Sequence, residues 1–470
     1  MKRFIGDKQF YKMVLAIAVP IMIQNGITNF VSLLDNMMVG QMGTEQMTGV
    51  AIANQLIFVF NLCIFGGLSG AGIFGAQFYG QKDYTGVKHV FRFKVLIGIV
   101  LTVLAELILL LFQEPLIQKF LHEDGTGGNL ALSLLHGKQY LMIMMIGLVP
   151  FAITQIYSST LRESGETVIP MKAGLIAVGV NVLFNTVLIF GYFGLPALGA
   201  KGAAIATVIA RFVECSIIVT WTHKHTDKNP YIKGVYKSLY VPKHLTTQIL
   251  LKGTPLMLNE ALWSSGMTML MQCYSVRGLS VVAGLNIAST ISNVFNVVFI
   301  ALGSSVSIIV GQLLGAGKME EAKDTDTKLI FFSVASCFVI GSILALTSPL
   351  FPRFYNTSAE VKHYAMWFII VAAICMPLNA FIHATYFTLR SGGKTVITFL
   401  FDSVYIWVIS IPLAYMLTRY TNIPIIPIYF MCQFIDIIKC IIGYILVKKG
   451  VWLENITVSE EKYKEEAVGN

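Results

Sequence analysis

Long apolar segments alternate with short polar ones along the whole chain. Most span 20 residues or more, the length that an α-helix needs to cross ~30 Å of hydrocarbon. The pattern predicts twelve transmembrane helices, near residues 13–38, 49–75, 93–112, 135–158, 168–190, 200–221, 249–273, 281–311, 329–350, 362–387, 396–417 and 425–447. A transmembrane barrel would instead give ten-residue segments of alternating polarity. The sequence therefore predicts an all-α polytopic membrane protein.

The chain repeats itself. A shift of 235 positions aligns Pro20 with Pro255, Gly43 with Gly278, Gln77 with Gln312 and Gly80 with Gly315. A shift of 228 positions places residues 160–167 on 388–395. Because each copy holds six spans, an even number, the copies share one orientation and are related by an axis along the membrane normal. We predict two pseudo-symmetric six-helix lobes, an arrangement that favours transport by alternating access.

Polar intervals suggest the domain boundaries. The N-lobe (spans 1–6) is predicted at 1–221, a cytoplasmic linker at 222–248, the C-lobe (spans 7–12) at 249–450 and a cytoplasmic tail at 451–470. The lysine-rich linker is expected to be a solvated basic loop. The tail, with mixed charge and few apolar residues, is expected to be frayed.

Composition and charge agree with a membrane protein. The chain is 55% hydrophobic and only 13% charged, with a mean hydropathy of +0.70, which excludes a soluble globular protein. Lysine and arginine concentrate in alternate loops, so both termini are predicted to be cytoplasmic, in the plasma (inner) membrane. Topology thus explains the net charge of +9 better than nucleic-acid binding does. The seven cysteines form no CxxC pair and suggest neither disulfides nor zinc.

Six acidic residues fall within the predicted spans. They are Asp35, Glu106, Glu214, Glu260, Asp402 and Asp436. Glu214 follows Arg211 by three residues, and Lys439 follows Asp436 by three, so each pair is expected to neutralise itself on one helix face. The roles of Glu106 and Asp402 stay open between packing and function.

Asp35 and Glu260 have no nearby cation in the sequence. An ionisable group at bilayer depth costs at least ~2.5–3.5 kcal/mol, so both are interpreted as functional sites. In the fifth and sixth spans, Asn181 and Asn185, and Ala203 and Thr207, lie one turn apart. Their oxygens could complete a cation site around Asp35, or they could simply form interhelical hydrogen bonds.

Several motifs resemble those of the multidrug and toxic compound extrusion (MATE) family. They are LLDNMMVGQMGTEQM (33–47), GAQFYGQKD (75–83), TLRESGET (160–167), GLPALGAKGAAIAT (194–207), PLMLNE (255–260) and TLRSGGKT (388–395). The resemblance covers roughly residues 10–450. It implies two six-helix lobes around a V-shaped cleft and efflux of small organic cations driven by inward proton or sodium flow.

The resemblance also implies residue roles. Asp35 matches the aspartate that binds protons or sodium in the N-lobe, surrounded by Asn181, Asn185, Ala203 and Thr207. A sodium ion there would use Asp35, Asn181, Asn185 and Thr207. Several relatives carry aspartate where this chain has Asn185, so one carboxylate is missing.

In the C-lobe, Glu260 matches an acid of the NorM-like branch of the family. The second acid of that branch is replaced here by Asn379. With one carboxylate missing from each lobe, protons are favoured over sodium as the coupling ion, because a single carboxylate can titrate whereas Na⁺ benefits from several ligands.

The predicted function is therefore a cation-coupled antiporter that exports organic cations and drugs, acting as a monomer in the bilayer without a cofactor. The alternative keeps the fold and changes the cargo to a lipid-linked or other endogenous metabolite. An enzyme is disfavoured because the chain has no HExxH motif and no Ser/His/Asp set that can be localised.

Overall fold

The computed structural model describes residues 4–40, 43–119, 129–194, 196–355 and 357–457, without the side chains of 30–37, 39, 40, 44 and 193. Over these residues the chain is largely helical and forms no strand. The α-helices are α1 (Lys8–Gly40), α2 (Thr44–Gly80), α3 (Tyr84–Gln118), α4 (Leu130–Ile146), α5 (Leu148–Glu163), α6 (Val168–Phe190), α7 (Ala200–Lys224), α8 (Lys243–Ser275), α9 (Leu279–Gly315), α10 (Met319–Thr347), α11 (Ala359–Ser391), α12 (Thr395–Phe399), α13 (Ile411–Tyr420), α14 (Ile425–Phe434) and α15 (Ile437–Lys449). Two π-helical stretches, Leu400–Val404 and Ile406–Ser410, lie between α12 and α13.

Ten segments of the described chain are each long and apolar enough to cross a membrane. An eleventh is the pair α4 and α5, which meets at Gly147 with a bend of 46°. Pro150 lies in the first turn of α5 and has no backbone N–H to donate across the bend. The twelfth predicted span lies in α8, which is long enough at 33 residues but more polar, with Lys252 and Glu260 along it. The predicted all-α membrane fold is confirmed.

The described chain separates into two compact units. The N-unit contains residues 23–75 and 84–246, and the C-unit contains residues up to 22, residues 76–83 and those from 247 onward. The first turns of α1 and the end of α2 are thus part of the C-unit core. The lobe and linker boundaries stay a prediction, because compactness does not define which bodies move.

Within the C-unit, the last turns of α2 and α9 cross at very short range. A Cβ atom at Gly80 would collide with the backbone carbonyl of Gln312, and one at Gly315 would collide with that of Gln77. These four residues are the equivalent pairs of the 235-residue repeat. The glycines are therefore required at these positions by the close approach of two backbones.

The linker differs from its predicted form. Tyr231, Ile232 and Val235 are buried, and the Arg92 guanidinium of α3 donates to the carbonyl oxygens of Val235 (2.8 Å), Tyr240 (3.3 Å) and Gly234 (3.4 Å). The expectation of a solvated basic loop is wrong for this stretch. Tyr231, Ile232 and Val235 pack within the N-unit, while the lysines of the linker stay at the surface.

The beginning of the tail is also packed. Trp452 is fully buried, Asn455 donates to the carbonyl oxygen of Gly315 at 3.0 Å, and the amide of Ile456 donates to Gln77 Oε1 at 2.9 Å. The expected fraying is therefore wrong for residues 453–457. Residues 458–470 lie outside the described chain.

Candidate functional site

The predicted polar cluster of the N-unit is assembled between α6 and α7. Asn185 Nδ2 donates to Asn181 Oδ1 at 3.0 Å, Asn181 Nδ2 donates to Thr207 Oγ1 at 3.2 Å, and Thr207 Oγ1 donates to the carbonyl oxygen of Ala203 at 3.0 Å. The helices can approach because Gly202 packs against the backbone of Leu188. Four of the predicted residues therefore form one continuous hydrogen-bonded row.

Whether Asp35 contacts this hydrogen-bonded row lies outside what the structure describes. Its backbone belongs to α1, but its side chain lies outside the described residues. Among the described side chains, no group of three or more His, Cys, Asp or Glu residues could hold a metal ion. The sodium site at Asp35, Asn181, Asn185 and Thr207 stays a prediction.

In the C-unit, Glu260 lies in an interhelical charge cluster. The half-buried Glu260 side chain on α8 interacts electrostatically with Arg390 of α11, which attracts it, and with Asp402, which repels it. Asp402 Oδ1 lies 3.5 Å from Lys439 Nζ of α15. The cluster therefore contains two acids and two cations. Arg390 supplies Glu260 with a counter-charge that is distant in the sequence.

Hydrogen bonds hold this charge cluster in place. Asn259 Nδ2 donates to Asp402 Oδ2 at 3.1 Å, and Ser403 Oγ donates to Asn259 Oδ1 at 2.7 Å. Tyr386 forms a side-chain hydrogen bond with Arg390. Asp402 thus has both a cation and an amide donor as partners, and its role in transport stays a prediction.

The backbone around Asp402 is π-helical rather than α-helical. Asp402 lies in the π-helical stretch Leu400–Val404, where i→i+5 bonding inserts extra residues per turn and turns side chains away from their α-helical positions. Such stretches occur frequently at functional sites. The irregular backbone is consistent with placing Asp402 and Ser403 towards Asn259.

Asn379, where the NorM-like branch has its second acid, lies on α11 and is half-buried. His383, Tyr386 and Arg390 follow it at four, seven and eleven residues, so the four share one helix face. Asp402 and Lys439 both interact electrostatically with His383. The face that begins at Asn379 therefore runs along the charge cluster, in which Asp402 supplies a second carboxylate from another helix.

The local pairs expected from the sequence do interact electrostatically, Glu214 with Arg211 and Asp436 with Lys439, but each cation also has a partner from elsewhere in the fold. Lys439 Nζ lies 3.5 Å from Asp402 Oδ1. Arg211 donates to the carbonyl oxygen of Gly147 at 3.2 Å and stacks over the ring of Phe151. Spacing along one helix could not anticipate these choices, because the partners come from other helices.

Sequence inspection missed a buried ion pair in the N-unit. Lys94 Nζ donates to both carboxylate oxygens of Glu163 at 2.7 Å, and the Lys94 side chain has no solvent-exposed area. Thr160 Oγ1 lies 3.0 Å from the same ammonium. A Cβ atom at Gly72 or Gly75 would collide with the Glu163 carboxylate. The TLRESGET motif, with the glycines of α2, thus builds this pair.

Known proteins match the chain along nearly its whole length. The sequence model of the MatE family matches twice, at residues 20–187 and 255–416, which cover most of both halves. The chain belongs to the MATE family. It is therefore a multi-pass membrane transporter and not an enzyme.

The curated relatives of this MATE transporter are distant but of full length. The probable multidrug resistance protein NorM of Thermotoga maritima is 22% identical over 459 residues, covering 97% of this chain and 96% of the relative. The probable multidrug resistance protein YoeA of Bacillus subtilis is 24% identical over 421 residues, covering 87% and 88%.

Solved structures agree on the fold. A multidrug resistance MATE family transporter in an outward-facing conformation has a TM-score of 0.82 at 17% identity and covers 95% of this chain and 97% of its own. The Vibrio cholerae MATE transporter VcmN, as a mutant, has a TM-score of 0.82 at 17% identity, covering 95% and 98%. At these identities the structures support the fold of this MATE transporter.

Proposed function

We propose that this MATE transporter is a multidrug efflux antiporter that exchanges small organic cations for protons. The curated relatives are named as probable multidrug resistance proteins. The observation that carries the proposal is the C-unit charge cluster, in which Glu260 and Asp402 share two cations inside the membrane-spanning part. Binding a cationic drug or a proton changes the charge of a nearly balanced site, so the two cargoes compete for it.

Protons are favoured over sodium for a physical reason. A sodium ion at Glu260 would have to compete with the charge of Arg390, one at Asp402 would have to compete with Lys439, and Asn379 offers only a neutral ligand. A proton needs a single oxygen. In the N-unit, Asn185 likewise removes one charged ligand, so we assign proton exchange to Asp35 with the row of Asn181, Asn185, Ala203 and Thr207 beside it.

The proposed cycle follows from these charges. Facing the cytoplasm, the deprotonated acids attract the organic cation. After the transporter turns outward, protonation of Asp35 and Glu260 removes the attraction and releases the cargo, and the protonated form returns. We place the transporter as a monomer in the plasma membrane with both termini in the cytoplasm, in accordance with the distribution of lysine and arginine.

Ethidium efflux from proteoliposomes tests the proposal. A pH gradient should drive efflux by the wild type, and Asp35→Asn, Glu260→Gln and Asp402→Asn should each abolish it. Asp324→Asn, which removes an exposed acid that pairs with Lys328 on α10, is the matched control and should retain full activity.

Other outcomes are equally informative. Full proton-driven efflux by Asp35→Asn and Glu260→Gln would refute the assigned roles. Efflux driven only by a sodium gradient would show that sodium, and not the proton, is the coupling ion. Correctly inserted protein that moves no organic cation under either gradient would favour the alternative cargo, a lipid-linked or other endogenous metabolite.

A further inference from the structure

A cavity of about 680 Å³ lies in the C-unit beside α10, α11 and α15. Its walls combine one acid, two lysines and several aromatic rings. They include Asp326, Phe331, Phe381, Tyr444, Lys448 and Trp452. No residue of this cavity belongs to the two sites described above, so the proposed transport cycle does not account for it.

Asp326 forms an incomplete polar site at this cavity. The side chain is fully buried, and Thr388 Oγ1 donates to its Oδ1 at 2.5 Å. Its other oxygen, Oδ2, has no hydrogen-bond partner in the described chain. Leaving a buried carboxylate oxygen without a donor is costly. The site therefore lacks one hydrogen-bond donor, which a ligand in the cavity could supply.

The cavity continues into a groove. A second cavity of about 380 Å³ shares the walls Val334, Phe381 and Tyr444 with the first. Its remaining lining, which includes Leu378 and Ile441, is apolar. The chamber that contains Asp326 and the two lysines thus adjoins an apolar groove between the same three helices.

Two lysines mark the outer side of the chamber. Lys323 lies one helical turn before Asp326, and Lys448 stacks on the ring of Tyr444 at 5.6 Å. Neither lysine has an ion-pair partner among the described residues. A ligand that fits this arrangement carries an amine for Asp326, an anion for the lysines and an apolar part for the groove.

We propose that this cavity binds an aminophospholipid. The primary ammonium donates to Asp326 Oδ2, the phosphate lies between Lys323 and Lys448, and one acyl chain follows the groove. A choline headgroup has no N–H to donate, and a phosphoglycerol headgroup has no ammonium. The cavity lies near the start of α10, which the predicted topology places at the cytoplasmic side, and the exposed Tyr444 is a residue type that prefers the membrane interface.

The repeat indicates that the site is single. The 228-residue shift pairs Thr388 with Thr160, and Thr160 contacts the ammonium of Lys94 rather than a carboxylate. The N-unit therefore fills the corresponding position with its own amine, already paired to Glu163. Among the described residues, this threonine donates to an acid in the C-unit and contacts an amine in the N-unit.

Native mass spectrometry of the full-length transporter tests the proposal. The delipidated protein is titrated with phosphatidylethanolamine and phosphatidylcholine of identical acyl chains. We expect the wild type to prefer phosphatidylethanolamine about tenfold, as one charge-assisted hydrogen bond allows. Asp326→Asn should reduce the preference to near unity, while Asp324→Asn, an exposed acid on the same helix, should retain it.

The two lysines at the outer side of the chamber can be replaced without changing the buried Asp326. Replacing Lys323 and Lys448 together by glutamine should weaken phosphatidylethanolamine binding several-fold without changing thermal stability. Equal binding of the two lipids by the wild type, or an unchanged preference in Asp326→Asn, would overturn the proposal. Displacement of the lipid by an equimolar amount of free phosphoethanolamine would also overturn it, since the ligand would then be a soluble zwitterion.

Discussion

Single buried charges of the N-unit depend on exact partners. Lys94 is fully buried, and its ammonium is bound by Glu163, Thr160 and Ser159. Arg162, the neighbour of Glu163, donates instead to Gln24 Oε1 of α1 at 2.9 Å. Consecutive residues of one motif thus serve two different helices, α3 and α1, which fixes the position of α5 between them.

Removing the Lys94 charge should be strongly destabilising. Lys94→Met leaves the Glu163 carboxylate buried without its counter-ion, and we expect a loss of ~3–5 kcal/mol. The double variant Lys94→Met/Glu163→Gln should recover much of that loss, because no charge then remains. Thermal unfolding in detergent measures both. A single variant as stable as the double one would contradict the assignment.

Helix crossings depend on glycines that the repeat places in pairs. At the contact of α2 with α9, Gly80 and Gly315 each face the backbone of the opposite helix. Because a backbone cannot move aside as a side chain can, an added methyl group must separate the two helices.

Gly315→Ala should therefore destabilise the protein by about 1–3 kcal/mol, as overpacking does. Gly179 on α6 is the matched control, since no atom lies within 4 Å of a Cβ built there. Gly179→Ala should be neutral or stabilise by up to ~1 kcal/mol, as alanine is the better helix former. Equal effects in the two variants, followed by thermal unfolding, would show that the crossing is not tight.

The elements themselves were predictable because their signal is local. Apolar length alone locates all twelve predicted spans, including the one in α8, which carries Lys252 and Glu260. The partners of Asp402 were not predictable, because Asn259 lies 143 residues away in the chain. The same holds for Arg92, which binds a linker more than 140 residues later, and for Asp326, which stands in a polar stretch of sequence and is buried only by the packing of α10.

Over the whole molecule, the two halves keep one fold and differ in their charges. In the N-unit, Lys94 forms an ion pair with Glu163. In the C-unit, Asp326 accepts a hydrogen bond from Thr388. The C-unit gathers Glu260, Asp402 and two cations, while the described part of the N-unit cluster is a neutral row of amides and hydroxyls. Duplication therefore preserved the helix packing and left each half free to acquire different chemistry.

If coupling depends on the number of carboxylates, one substitution should change the ion. Asn185 is fully buried and donates to Asn181 at 3.0 Å. Asn185→Asp replaces that donor by a negative charge among the oxygens of Asn181 and Thr207, which a sodium ion can satisfy and a single proton satisfies less well.

We expect Asn185→Asp to transport ethidium under a sodium gradient, and sodium at ten times its Kd to stabilise it by about 1.4 kcal/mol relative to potassium. Asn185→Leu, which adds no charge, should gain neither property. Sodium-driven efflux by the wild type, or an Asn185→Asp protein that gains no sodium-dependent stability, would show that Asn185 does not set the ion. Coupling would then be determined by the C-unit, where Arg390 and Lys439 hold the two carboxylates.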